Sequence, residues 1–207
     1  MIKLENTEVF GFEAAIRGAR NPMNSWNRSD SGFVLEDGKK VFRLGDNDRD
    51  LMVRLVRAGN EHRKYMRQIM IWTDITAPFY WWKEFDTYKV GTTANSCSTM
   101  HKLTYKPFEL DDFSHDHLSK SGLAAMESLI ATLNSLRDNY LETKDKQDWW
   151  DMIQLLPTSY NQKRTVSMNY ENALSIYRQR KGHKLDEWHE FRRWIEQLPC
   201  AAELILE

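Results

Sequence analysis

Between Ala77 and Lys102 the chain reads APFYWWKEFDTYKVGTTANSCSTMHK, a set of residue types suited to gripping a flat or anionic ligand. Trp81, Phe85 and Tyr88 recur at i, i+4 and i+7, one face of a helix, with Trp82 beside them. Lys83, Glu84, Asp86 and Lys89 fall between these rings. Thr92, Thr93, Asn95, Ser96, Ser98 and Thr99 follow, and then His101 and Lys102. An aromatic helix that delivers hydroxyls and amides next to cations could hold a phosphate or a heterocycle. The same residues also read as a buried helix followed by an ordinary polar loop.

A second pair lies further on. Asn169 and Arg180 are eleven residues apart, a helical rotation of about 1100°, or three turns plus roughly 20°. They share a face, about 16 Å apart along it, with Ala173 and Ile176 between. An amide at one end and a guanidinium at the other could hold two parts of an extended ligand. An amphipathic helix with polar ends has the same spacing. No metal site is expected: His115 and His117, at i and i+2, do not share a helix face, and no third ligand with sensible spacing follows. Cys97 and Cys200 are too few and too far apart to suggest a disulfide framework or a zinc site.

The elements that must position these groups fit a single α+β domain over 1–207, with strands mainly in the first half and helices in the second. The 29 basic and 30 acidic residues leave a formal charge of −1, so no net attraction to nucleic acid or a membrane surface follows. No apolar run approaches the ~20 residues of a membrane span, and MIKLENTEVFGFE is not a signal peptide. A soluble cytoplasmic protein is the expectation.

In chain order, short apolar runs and turn residues lead into a polar stretch from Arg17 to Gly32, a solvated loop or the lining of a pocket. Phe33-Val34-Leu35 and Val41-Phe42-Arg43-Leu44 form a hairpin turning at Asp37-Gly38. A helix capped by Asp46, Asn47 or Asp48 carries Leu51, Met52, Leu55 and Val56. Tyr65 to Ile75 reads as a strand that runs into the aromatic helix, with Thr76 as its cap, Pro78 in its first turn and Gly91 closing it. Four later helices are expected. The longest covers about 121–142; one after KDKQD stops at Pro157; a third begins near Ser167; a fourth covers about 184–197, and the tail adds a last helical turn.

The two chemical regions, in this order, resemble the flavin-dependent thymidylate synthases. In that family a strand meets an APxFxxRQ-type helix ending in Arg-His-Arg, followed by Asn-Glu-x-Ser-x-Arg. Here Ala77-Pro78-Phe79 and Lys83-Glu84 match the opening, and Thr87-Tyr88-Lys89 stand where Arg-His-Arg would be. Asn95-Ser96-Cys97-Ser98-Thr99-Met100 take the place of the second motif, and Glu61-His62 that of Phe-Glu-His. Leu156-Pro157, Asn169 through Ala173, Gln179-Arg180 and Glu187 through Arg192 follow the family's later pattern. The matches span about 61–192.

The resemblance implies an α+β fold with a mixed sheet and helices. It implies that His62, Thr87, Tyr88, Lys89, Ser96 and Asn169 face a flavin, FAD. It places Glu84, Asn95, Ser98 and Arg180 against a deoxynucleotide, with Arg180 as the principal catalytic group. It further implies methylation of deoxyuridine monophosphate with methylenetetrahydrofolate, NADPH as the reductant, and a homotetramer. Trp81, Trp82, Trp149, Trp150, Trp188 and Trp194 are more large rings than one core of this size commonly needs, which suits such an assembly, since large rings are enriched at subunit interfaces. The sequence also departs from the pattern: Arg-His-Arg keeps one cation, Lys89, and Met100 replaces an arginine. The alternative is a catalytically inactive scaffold that binds a nucleotide, a nucleic acid or a protein.

Overall fold

The computed structural model describes residues 2–206. In chain order the elements are β1 (Lys3–Phe10), α1 (Phe12–Arg20), β2 (Gly32–Glu36), β3 (Lys39–Arg43), α2 (Asp46–Arg57), β4 (Met70–Pro78), α3 (Phe79–Phe85), β5 (Thr93–Ser96) and α4 (Thr99–Lys102). They continue with α5 (Lys120–Thr143), α6 (Lys146–Leu155), β6 (Asn161–Asn169), α7 (Tyr170–Gln179), α8 (Asp186–Glu196) and α9 (Ala201–Leu204). One sheet has the strand order β1-β4-β6-β5, and β2 and β3 form a separate antiparallel pair. The α+β expectation is met. Among the described residues no helix is long and apolar enough to cross a membrane.

The chain divides into two compact units. One consists chiefly of Asp74–Thr87 and Ala94–Thr165; the other of Leu4–Thr73, Tyr88–Thr93 and the residues from Val166 onward.

In the first unit, α5 packs on α6 around Leu133 and Met152, joined by Leu103, Phe108 and Phe113. Each such side chain contributes about 1.5–3 kcal/mol when buried. Ser119 caps α5 by accepting from Gly122 N–H, and Asp145 caps α6 by accepting from Gln147 N–H. The aromatic helix is shorter than its sequence period suggests. It begins after Pro78, which ends β4 in extended conformation, and Thr76 lies inside that strand rather than at a cap. Backbone carbonyls do the capping: Phe79 N–H donates to Tyr160 and Tyr80 N–H to Thr158. The helix stops at Phe85, so Gly91 is a turn residue and not its C-cap.

The second unit buries Met52, Tyr65, Met66, Ile69, Met168, Tyr170, Ile176, Trp188 and Ile195. Several of its elements differ from expectation. Helix α2 is capped at Gly45, not at Asp46, Asn47 or Asp48. The expected strand from Tyr65 is a 3-10 turn over Arg63–Gln68, and β4 starts only at Met70. The segment 12–20 is a helix, α1, although Gly18 lies within it. Residues 167–169 end strand β6, and the third late helix starts only at Tyr170. The hairpin turns at Asp37-Gly38 as expected, with φ of +50° and +75°, the left-handed pair that a tight two-residue turn requires.

Asp48 explains how the polar stretch 17–32 folds. Its buried carboxylate accepts from Arg20 Nε at 2.6 Å, Ser29 Oγ at 2.9 Å, and the Asp30 and Ser31 amides at 3.0 and 2.9 Å. Burial alone would raise its pKa; the bonds from Ser31, Arg20, Ser29 and Asp30 outweigh that and hold the carboxyl below its usual value. Asp30 returns the favour by accepting from the Asn47 and Asp48 amides at the start of α2. Arg20 is thus a buried structural group, neither a solvated side chain nor a free ligand contact.

Candidate functional site

In the second unit, two residues assigned to different ligands by the family pattern meet. Arg180 Nε donates to the Tyr88 hydroxyl at 2.8 Å. The guanidinium lies over the Trp188 ring, 4.4 Å from its centroid, and 5.3 Å from that of Tyr88. Tyr88 and Trp188 contact edge to face at 6.1 Å, and His183 approaches Trp188 at the same distance. A guanidinium placed over a ring and bonded through Nε is held by two contacts at once, a combination an ammonium could not reproduce.

Three elements bring these groups together. Arg180 is the C-cap residue of α7, its amide bonded to the Ile176 carbonyl. Trp188 is on the buried face of α8. Tyr88 comes from the segment after α3, and α7 itself anchors that segment. Asn169 is the N-cap of α7: its Oδ1 accepts from Asn172 N–H at 3.0 Å, and Asn172 Oδ1 accepts from Asn169 N–H at 3.1 Å. Asn172 Nδ2 then donates to the Val90 carbonyl at 2.7 Å. Gly91, at φ +80°, fits only because it has no side chain. A Cβ there would stand 2.8 Å from Asn169 Nδ2 and 2.9 Å from Asn172 Oδ1.

Glu171, in the first turn of α7, forms ion pairs with Arg63 and Arg67. The Arg67 bond is the main reason its carboxyl is held below the usual carboxylate range, against the opposing effect of burial. Glu171, one of the salt-bridge partners that the end of a helix could have offered, is thus engaged by Arg63 and Arg67. His62 and Lys89 are exposed in the same unit, and His62 precedes a short 3-10 turn over Arg63–Gln68.

The remaining assigned residues belong to the first unit. Thr87 Oγ1 donates to the Glu84 carbonyl oxygen at 2.7 Å, while the Glu84 side chain is half-buried. Asn95 and Ser96 are exposed on β5. Ser98 Oγ accepts from His101 N–H and so caps α4. Cys97 fixes this segment on β6, with its amide bonded to the Lys163 carbonyl and its own carbonyl to Gln162 Nε2. Arg164 stacks over Trp82 at 4.1 Å and bonds Asp86 at 2.8 Å; Lys163 pairs with Asp74 at 3.1 Å. Among the described residues no group of three or more His, Cys, Asp or Glu side chains could hold a metal ion.

No family model matches the sequence, and no curated protein does. Solved structures do. The flavin-dependent thymidylate synthase ThyX from Helicobacter pylori, complexed with FAD and dUMP, superposes with a TM-score of 0.68 at 18% identity, over 98% of this chain and 97% of that one. A second structure of the same protein with FAD and dUMP gives 0.69 at 18% identity, over 99% and 97%. The chain has the fold of the flavin-dependent thymidylate synthases. A UMP/dUMP methylase, PolB from Streptomyces cacaoi bound with 5-Br dUMP, matches with a TM-score of 0.63 at 11% identity, over 100% of this chain and 94% of that one.

On this thymidylate synthase fold, Trp188 and Asn172 are the residues that the sequence reading passed over as candidates. Trp188 reads as one more apolar residue of an amphipathic helix. Asn172 had a visible signal, since two capping side chains three residues apart form the spacing of a capping box.

Proposed function

We propose that this chain is a cytoplasmic, flavin-dependent nucleotide-modifying enzyme whose reaction is methylation of deoxyuridine monophosphate. Methylenetetrahydrofolate would supply the carbon and NADPH the reducing equivalents. The observation that carries this reading is the contact of Tyr88 with Arg180, two residues 92 positions apart that the resemblance assigns to flavin and nucleotide. Placed over Trp188 and bonded to Tyr88, the guanidinium would be positioned for an anion, the property that makes an arginine effective against phosphate. Glu84 suits the ring N–H of a pyrimidine better than a phosphate, because an ionised carboxylate accepts hydrogen bonds and repels anions.

Exposed donors of the second unit suit a flavin dinucleotide: Lys89 offers an ammonium for diphosphate oxygens, and His62 is also exposed. In the first unit Thr87 and Ser96 present exposed hydroxyls. Tyr88 offers a ring, and Asn169 the amide nitrogen beside Gly91. When bound, FAD supplies hydride transfer; the protein's own residues bind and orient. By the same reading the chain assembles as a homotetramer.

The absorption spectrum of the purified protein tests the cofactor. Flavin bands, present or regained on adding FAD, are expected; a colourless protein that takes up no FAD overturns the reading. Tritium release from labelled deoxyuridine monophosphate, with methylenetetrahydrofolate and NADPH, tests the reaction. Light scattering should give about four times the chain mass of 24.6 kDa.

One observation favours a second reading. Asn169 Oδ1 and Arg180 Nε, both assigned to ligands, are engaged within the chain by Asn172 and Tyr88. A scaffold that binds a nucleotide, a nucleic acid or a protein without turnover would keep these contacts. Flavin or nucleotide binding without tritium release would favour it.

A further inference from the structure

The second unit holds a cavity of about 660 Å³ where the end of β1, the start of α1 and the β2–β3 hairpin meet. None of the residues in it belongs to the site described above. Four phenylalanines contribute to its walls, beside Val9, Val41 and Pro199. Phe12 is buried and stacks on Phe42, with centroids 4.7 Å apart and planes 16° from parallel. Phe33 meets Phe42 edge to face at 5.4 Å. Phe10 meets Trp72 edge to face at 6.0 Å, yet Phe33 and Phe10 remain 44% and 59% exposed, so both rings are open to solvent on one side. Rings that remain this open on a soluble surface mark a binding site more often than a packing accident.

Charge separates this cavity from a merely greasy groove. Lys40 Nζ lies 4.4 Å above the Phe33 centroid, which puts a cation on the aromatic wall. Arg17 lines the same space from α1, and Glu13 contributes the one opposing carboxylate. Two cations against one anion leave the rim net positive. The volume falls in the range of small-molecule sites, ~300–1,000 Å³.

We propose that this cavity is a second ligand site and that it takes a planar aromatic anion of one or two fused rings. The ring would stack on Phe33 and Phe42, and its carboxylate or phosphate would meet Lys40 and Arg17. Because the wall is half hairpin, the site depends on β2 and β3 as much as on α1.

Titration calorimetry of the full chain with 2-naphthoate tests this, with neutral 2-naphthalenemethanol and non-aromatic cyclohexanecarboxylate as comparisons. Saturable one-to-one binding of naphthoate is expected, with both comparisons weaker. Lys40→Glu lies on an exposed strand face and should weaken naphthoate by about tenfold, the size of one charge-assisted contact. It should leave the neutral alcohol within about twofold. Phe33→Ala should weaken both aromatic compounds. Unchanged melting temperatures of both variants would show that folding is intact. Naphthoate that fails to saturate, or that binds the Lys40→Glu and Phe33→Ala variants as well as the parent, overturns the proposal. Self-association that Phe33→Ala abolishes, with no naphthoate binding, makes a second copy of the chain the occupant and also overturns it.

Discussion

Arg180 Nε donates to the Tyr88 hydroxyl at 2.8 Å while the same guanidinium lies over Trp188, 4.4 Å from its ring centroid. One side chain therefore ties the C-terminal end of α7 to the segment that follows α3. This relationship gives Arg180 a structural role, and mutation can separate it from the recognition role proposed above.

Tyr88→Phe removes the hydrogen bond and keeps the ring. It should cost about 0.5–1.5 kcal/mol of stability, the usual net worth of one such bond. Arg180→Ala also removes the stacking on Trp188, so it should cost more, by about another 0.5–2 kcal/mol. Urea unfolding of the two variants and their combination forms a double-mutant cycle. The expected coupling is of the order of one hydrogen bond; a coupling near zero would show that the contact does not form in solution.

If Arg180 also holds the nucleotide, Arg180→Ala weakens deoxyuridine monophosphate by roughly ten- to a hundredfold, beyond its effect on folding. Arg180→Lys should recover only part of this, because it restores charge without the planar fork. Calorimetry at a temperature well below the melting points of all three proteins makes the comparison. A lower melting point with unchanged affinity would assign the residue to the fold alone.

Gly91→Ala should act through α7. Its Cβ would intrude on Asn169 and Asn172, and alanine at φ +80° carries a further cost of about 1–2 kcal/mol. The Val90 carbonyl should then lose its bond from Asn172, and the 88–93 segment should loosen. Hydrogen exchange read by mass spectrometry should show faster exchange there and little change in α5. Unaltered exchange in that segment would mean that the clamp is not needed to hold it.

Asp48 predicts an acid dependence with a definite sign. Its carboxyl has a folded-state pKa below the ordinary 3.8. Its contribution is therefore complete above the unfolded value and is lost as pH falls through 3.8 toward the folded pKa. Urea midpoints between pH 5 and pH 2 should decline with a component that Asp48→Asn removes. The substitution itself leaves Arg20 buried without its counter-ion and should cost about 3–5 kcal/mol at neutral pH. A pH profile of the same slope in the variant would assign the acid sensitivity to other carboxylates.

Local chemistry was the readable part of this sequence. The hairpin was legible because Asp37-Gly38 sets its own turn, and α5 because its apolar residues keep one period over its whole length. Strand β6 was not. Its buried Gln162 is a polar residue in a strand interior, and it is acceptable there only because Cys97, distant in sequence, supplies a carbonyl for its amide. Strand β5 has every residue exposed and no apolar alternation, so it read as loop. The family pattern assigned ligand roles to Tyr88 and Arg180 but said nothing of their mutual contact. The partner that orients Arg180 was not legible, since nothing in the spacing of α8 distinguishes Trp188 from its buried neighbours.

The base of the hairpin is sewn shut independently of the hairpin itself. Gly45 N–H donates to Ser31 Oγ at 2.9 Å, Asp30 accepts from the start of α2, and a Cβ at Gly45 would stand 2.3 Å from the Asp30 carboxyl carbon. Residues 32–43 therefore leave and re-enter the body through a fixed doorway. Phe42 stacks on Phe12 from this side of the doorway, and the contacts that hold the doorway itself lie outside the hairpin, which makes the hairpin a candidate for exchange as a cassette. Variation there could alter what the neighbouring cavity accepts while leaving Arg180 and its aromatic partners untouched.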